Sequence, residues 1–269
     1  MKNKLAVSTN TYHGFSLEQA LKGIAEAGYK YVELTAVKDY TEHVNWQMTE
    51  KQIEEIQKKL KDYDLQAIAL SGHCNIMTDQ GTELFLKNIE LAARIGCQHI
   101  VTATGEVHGD KDEIEDESIL IDRLKRLIAK CQDHEITLVL ETHGNNYATG
   151  SILYELVKKI DSKYLGINYD TANVIFYGNI RPEEDMPKCI DKIYYIHLKD
   201  KLGQEKEWNF PAIGKGYIDF AKIFNLLKGQ NYQGPISVEI EFTEDGPGCL
   251  SEVDQAVKDS YRYIVNNLI

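Results

Sequence analysis

The chain has 269 residues, with 30 Lys and Arg against 42 Asp and Glu, a formal net charge of -12, 43% hydrophobic and 27% charged residues. Single α/β barrels run to roughly 250 residues, so the length forces no split, and the balance is that of a soluble globular protein. So acidic a surface repels nucleic-acid phosphates and anionic lipids, which excludes both as general partners, and no Lys/Arg cluster supplies a local exception.

Cys74, Cys97, Cys131, Cys189 and Cys249 are widely spread. An odd number without a C-x-x-C pair argues against a disulfide framework or a zinc ribbon, and for reduced thiols in the cytoplasm. Met1-Lys2-Asn3-Lys4 runs into a short apolar strand without a hydrophobic signal core. No apolar run approaches the roughly 20 residues that span a bilayer. A cytoplasmic location without membrane contact is expected.

Short apolar runs alternate with longer amphipathic ones. Residues 5–8 read as a first strand; Ser16 caps a helix over 17–27 that Gly28 stops. A second strand over 31–34 leads to a helix opened by Thr49-Glu50-Lys51-Gln52 and ending near 63, with Ile53, Ile56 and Leu60 on one face. A third strand over 65–70 precedes Ser71-Gly72-His73-Cys74-Asn75 and a helix from about 81 to 95, ended by Gly96. The fourth strand covers 99–103 and its helix about 115–133. The fifth begins at Ile136; a helix follows over 151–160, then a sixth strand over 165–170. Pro182 opens a short helix to about 190. A seventh strand over 193–197, a helix over 219–228, an eighth strand over 236–240 and a last helix over 251–267 complete the series.

Eight consecutive strand-then-helix units, with near-continuous apolar strands and no linker between them, predict a single (β/α)8 TIM barrel domain over residues 1–269. The competing open doubly wound sheet would announce a Gly-rich phosphate loop after its first strand, and Thr9-Asn10-Thr11-Tyr12-His13-Gly14 is not one.

The fifth strand carries the chemistry most plainly. Ile136-Thr137-Leu138-Val139-Leu140 is the pattern of a strand buried on both faces, and it passes at once into Glu141-Thr142-His143-Gly144-Asn145. A carboxylate at a buried tip is costly unless it meets a cation. Other strand ends repeat the pattern: Glu33, His73, His108 just past strand four, Asp170, His197 and Glu239. In a barrel these ends share one mouth. Singly, each has an ordinary structural explanation: Asp170 can cap a turn and His197 can be a core histidine. Together, Glu141, Asp170, His197 and Glu239 follow four successive strands, and three carboxylates with one imidazole would repel unless a divalent cation sat among them. The oxygen-rich set suits one ion, Mn²⁺ foremost, with Mg²⁺, Co²⁺ and Zn²⁺ compatible. Fewer than six protein ligands leave positions for substrate oxygens.

Glu141, then Asp170-Thr171-Ala172-Asn173, then His197-Leu198-Lys199-Asp200, then Val238-Glu239 resemble the xylose isomerase-like TIM barrels, a superfamily of sugar epimerases, inosose isomerases and dehydratases, and endonuclease IV. The resemblance runs in order along essentially the whole chain. It implies that Glu141, Asp170, His197 and Glu239 hold the metal and that Glu141 and Glu239 exchange protons with a small ketose, polyol or sugar phosphate. A metal at a ketose carbonyl acidifies the neighbouring C–H, and two carboxylates can then move a proton between faces. Epimerisation, isomerisation and dehydration all follow from that chemistry, and the sequence leaves the three open.

Substrate contacts are expected from His73, His108, His143, Asn173 and Lys199, with His73 and His108 also able to serve a second metal. Lys199 can neutralise an enediolate or a phosphate, Asp200 can support a histidine, and Glu241 is an alternative ligand to Glu239. Tyr12, Phe176, Trp208 and Phe210 can wall a sugar or fill the core. Barrels of this kind often pair, so a homodimer is one expected assembly.

Three rivals stand beside the isomerase or epimerase. An endonuclease IV-like nuclease is disfavoured because Asn173 stands where those enzymes carry histidine and no Asp-x-His precedes Ala212-Ile213-Gly214-Lys215-Gly216. A non-catalytic sugar-binding barrel has no use for the intact quartet. A dehydratase or lyase acting on a modified sugar or inositol would differ in product mass.

Overall fold

The computed structural model describes residues 3–105 and 116–269. Its strands are β1 (Leu5–Ser8), β2 (Tyr31–Thr35), β3 (Gln66–Ser71), β4 (His99–Thr102), β5 (Thr137–Glu141), β6 (Leu165–Asp170), β7 (Ile193–Leu198), β8 (Asn209–Phe210), β9 (Ile236–Val238) and β10 (Phe242–Thr243). The helices are α1 (Leu17–Ala27), α2 (Glu50–Asp62), α3 (Asp79–Ile95), α4 (Glu117–Asp133), α5 (Gly150–Ile160), α6 (Asn173–Phe176), α7 (Pro182–Asp185), α8 (Phe220–Gly229) and α9 (Leu250–Asn267).

Strands β1 to β7 and β9 pair in parallel, and β9 returns to β1 to close the barrel. The expected (β/α)8 architecture is therefore present. Strands β8 and β10 form a separate antiparallel pair, Phe242 opposite Phe210, that the sequence reading missed because each has only two residues.

Local chemistry explains where the helices stop and start. Ser16 with Gln19, and Thr49 with Gln52, close reciprocal capping boxes that satisfy orphan N–H groups at the starts of α1 and α2. Gly28 and Gly96 end α1 and α3 in the left-handed region, φ 106° and 97°. Helix α3 begins two residues before the expected Gly81, capped by Thr78. Gly81 is not a breaker; a Cβ there would collide with the carbonyl oxygen of Asn75. The helix expected from Pro182 to about 190 is one turn, α7, and then two 3₁₀ turns, because Pro187 cannot donate the next helical bond. The expected start of α4 at 115 lies outside the described residues, and Asp116 is its cap.

The main core lies between the outer faces of the strands and the helices. Inside the barrel, Ala69, Val101, Val139 and Tyr195 form a small buried cluster among β3, β4, β5 and β7. Two register shifts carry functional weight. One in β6, between Ile167 and Asn168, sets Asp170 directly opposite His197 of β7; the other, in β2, falls at Val32/Glu33. Strand β9 stops at Val238, so Glu239 sits just past its strand and not within it, its N–H held by the Leu198 carbonyl at 3.1 Å.

Candidate metal centre and active site

Glu141, Asp170, His197 and Glu239 are all buried, and each offers one ligand atom within 4.8 Å of the others. His197 is the hub. Its Nδ1 lies 3.0 Å from Glu141 Oε1 and 3.6 Å from Glu239 Oε2, and its Nε2 lies 3.0 Å from Glu33 Oε2. Asp170 turns Oδ1 back to accept the N–H groups of Ala172 and Asn173, both at 2.8 Å. Its Oδ2 makes no hydrogen bond among the described residues, although Lys199 Nζ stands 3.1 Å away.

Electrostatics follow from burial and neighbours. Burial works against the Glu141 carboxylate, but His197 and His73 outweigh it and hold its pKa well below the usual range. Burial likewise opposes Glu239, and Lys199 and His197 overcome it, so its pKa is lowered. Asp170 goes the other way: burial dominates, Lys199 opposes it, Glu141 and Glu239 add to it, and the result is pushed up to about 7. For His197 and Lys199, burial disfavours charge, yet the surrounding carboxylates raise both pKa values well above the ordinary ones. The protein's own cations thus sit where the carboxylates converge. Three buried carboxylates, among them Asp170 with its Oδ2 free of hydrogen bonds, and one imidazole are a donor set that fits a divalent ion.

A cleft opens onto this set, and Glu141, Glu239, His73, His143, Asn173 and Lys199 all line it. Of the expected substrate contacts, His73 Nε2 lies 2.8 Å from Glu141 Oε2, and Asn173 Nδ2 donates to Glu141 Oε1 at 3.2 Å. His143 Nε2 meets Tyr177 Oη at 3.1 Å. His108 lies outside the described residues. Lys199 Nζ is 2.7 Å from Glu239 Oε2 and 2.9 Å from Glu241 Oε2. Glu241 is therefore at the site, but paired with Lys199 and with Asn10 Nδ2 at 3.2 Å instead of with the quartet. Trp208 lines the cavity, with Tyr40 and Tyr177; Phe176 and Phe210 meet its ring edge to face. Of the two places open to Tyr12 the structure shows the core: it is fully buried, its hydroxyl donating to Asp254 at 3.0 Å.

Two functions were missed by the sequence reading. Glu33 was visible as a strand-end acid, but its contact with His197 depends on the barrel's closure. By taking Nε2–H, Glu33 leaves Nδ1 facing the quartet. Glu33→Leu is expected to weaken Mn²⁺ binding about 10- to 100-fold, with Glu33→Gln much less affected; titration calorimetry on the metal-free protein checks it, and equal affinities would refute the role. Among the described residues Asp200 meets no histidine, where the sequence reading expected it to support one. Its carboxylate accepts N–H groups from Lys201, Gly214, Gly216 and Ile218 at 2.8, 2.9, 2.8 and 3.3 Å, while the Lys201 ammonium donates to the carbonyls of Leu202, Gln204 and Glu207. Together they brace the loop that carries Trp208. Asp200→Ala strands four donors and is expected to lower unfolding free energy by about 2–4 kcal/mol in urea melts; a loss under about 0.5 kcal/mol would contradict the brace.

Fold and site together define a barrel whose acidic mouth could hold a cation. Residues 21–264 match the family described as xylose isomerase-like TIM barrel, and the chain belongs to it. It is 25% identical over 90% of its length, and 87% of the relative's, to the inosose dehydratase of Clostridium beijerinckii. It is 24% identical to a Haemophilus influenzae protein provisionally named L-ribulose-5-phosphate 3-epimerase, over 86% and 85% of the two chains. The crystal structure of a D-psicose 3-epimerase in the presence of D-fructose superposes with a TM-score of 0.81 over 98% of this chain and 99% of that one; at 14% identity the likeness is one of fold. Among the described residues no helix is long and apolar enough to cross a membrane.

Proposed function

We propose that the protein is a divalent-metal-dependent isomerase or epimerase of a small ketose or polyol, free or phosphorylated. The observation that carries this is the meeting of two buried carboxylates, Glu141 and Glu239, with the same imidazole at the floor of the one cavity they both line. Glu141, Asp170, His197 and Glu239 would hold the ion, with Mn²⁺ the foremost candidate. When bound, it supplies a Lewis acid that polarises a carbonyl and acidifies the adjacent C–H bond.

The remaining work falls to side chains. Glu141 and Glu239 accept and return the proton, and their pKa values, held low by His197, His73 and Lys199, keep both as bases at neutral pH. Asn173 fixes the Glu141 carboxylate from one side and Asn10 donates to Glu239 at 3.2 Å from the other. Tyr40, Tyr177 and Trp208 supply apolar walls that exclude water from the reacting carbon.

A second reading has its own support in the inosose dehydratase relatives: the same proton abstraction followed by expulsion of a β-hydroxyl. The test is to load metal-free protein with Mn²⁺, incubate it with ketoses and inososes in D₂O, and follow deuterium uptake by NMR and product mass. Deuterium at the carbon beside the carbonyl with mass otherwise unchanged supports the isomerase or epimerase, and loss of 18 mass units supports the dehydratase. Metal binding without exchange into any sugar would sink both.

A further inference from the structure

We infer that this site selects uncharged polyhydroxylated substrates and rejects phosphorylated ones, with Glu241 as the selecting residue. The inference rests on the sugar-converting reading above and narrows it.

Barrels that bind phosphate commonly do so with backbone N–H groups of the loops after their seventh and eighth strands, where oriented amides form an anion nest. Here that nest is already filled from within. The N–H groups of Gly214, Gly216 and Ile218, together with Lys201 N–H, converge on the Asp200 carboxylate. A Cβ at residue 216 would collide with that same carboxylate, so the loop is closed tightly around its own anion. In the loop after the seventh strand, the amides a phosphate would need are spent on a side chain.

The other route to phosphate recognition is a free lysine or an arginine fork. Among the described residues lining the cavity, Lys199 is the sole lysine or arginine. Its ammonium is buried and within 3.1 Å of three carboxylates, those of Asp170, Glu239 and Glu241. Capturing a phosphate would mean leaving all three. Past the eighth barrel strand the wall continues with Glu241 and Glu244, which line a second hollow sharing Asn10, Tyr40, Trp208 and Glu241 with the first. A dianion entering by this wall meets like charge.

What remains suits hydroxyl groups. The Glu241 carboxylate accepts from Lys199 and Asn10 and can accept from a sugar O–H as well, since each oxygen offers two lone pairs. Aromatic side chains opposite give a ring a face to lie against. Glu241 thus orients Lys199, offers an acceptor to a neutral polyol and repels an anion.

The test uses matched pairs on the Mn²⁺-loaded full chain: L-ribulose against L-ribulose 5-phosphate, and D-fructose against D-fructose 6-phosphate, with inorganic phosphate as a third probe. Binding is read by calorimetry and turnover by deuterium uptake. The neutral member of each pair should bind and exchange at least about 100-fold better, inorganic phosphate should give no measurable binding heat, and Glu241→Gln should shrink the preference at least about tenfold. A phosphorylated member that binds as well as its partner overturns the inference and leaves the sugar-converting reading intact. Binding with the expected preference but no exchange into any sugar supports the charge selection and overturns the reaction. No binding by any probe overturns both.

Discussion

Glu141→Gln and Glu239→Gln are each expected to lower turnover about 10²- to 10⁴-fold while the barrel stays folded. Glutamine keeps a carbonyl oxygen toward the quartet but cannot take a proton. The two losses should differ in kind. With one base removed, the other still exchanges the proton on its own face of the sugar, so deuterium uptake into one epimer should outlive epimerisation itself. Parallel loss of exchange and epimerisation in both variants would instead favour a single base. Retention of more than a tenth of the activity by either variant would remove that glutamate from the chemistry.

Metal affinity is expected to rise with pH through neutrality. A ligand must give up its proton to bind a cation, and the two groups whose folded pKa values are raised, Asp170 to about 7 and His197 well above its usual value, hold theirs in the metal-free protein. Below pH 7 both protons compete with the ion; above it, Asp170 is ionised and only the imidazolium remains to be discharged. Binding should therefore release more than one proton at pH 6 and close to one at pH 8, with apparent affinity steepening by up to about tenfold per pH unit for each proton released. Calorimetry in buffers of different ionisation enthalpy counts the protons. A pH-independent affinity between 5.5 and 8 would show that the ion goes elsewhere. Asp170→Asn separates the contributions, since it removes one competing proton and one charge together.

Much of this was legible in the residues. The barrel showed itself because each helix boundary is written locally: Ser16 and Thr49 as caps, Gly28 and Gly96 as stops. The quartet showed itself because Glu141, Asp170, His197 and Glu239 each end an apolar run that has no use for them, and the structure brings the four together. What escaped depends on register and loop closure. Nothing near Glu33 says that it faces His197, 164 positions away. Asp200 read as a support for a histidine and Lys201 carried no signal, because their partners are backbone groups of a loop that exists only once they have gathered it. The start of α3 was expected near Gly81, whereas that glycine sits inside the helix, where a Cβ would meet the Asn75 carbonyl.

His197 and Lys199 lend the convergent carboxylates their positive charge before any ion arrives. With that internal counter-charge the barrel is expected to fold without metal, unlike a zinc finger, so that loading would be a late event on a finished scaffold. On the reading proposed above, which element occupied the mouth would be decided by supply in the surrounding medium and by the ordinary affinity order of divalent ions.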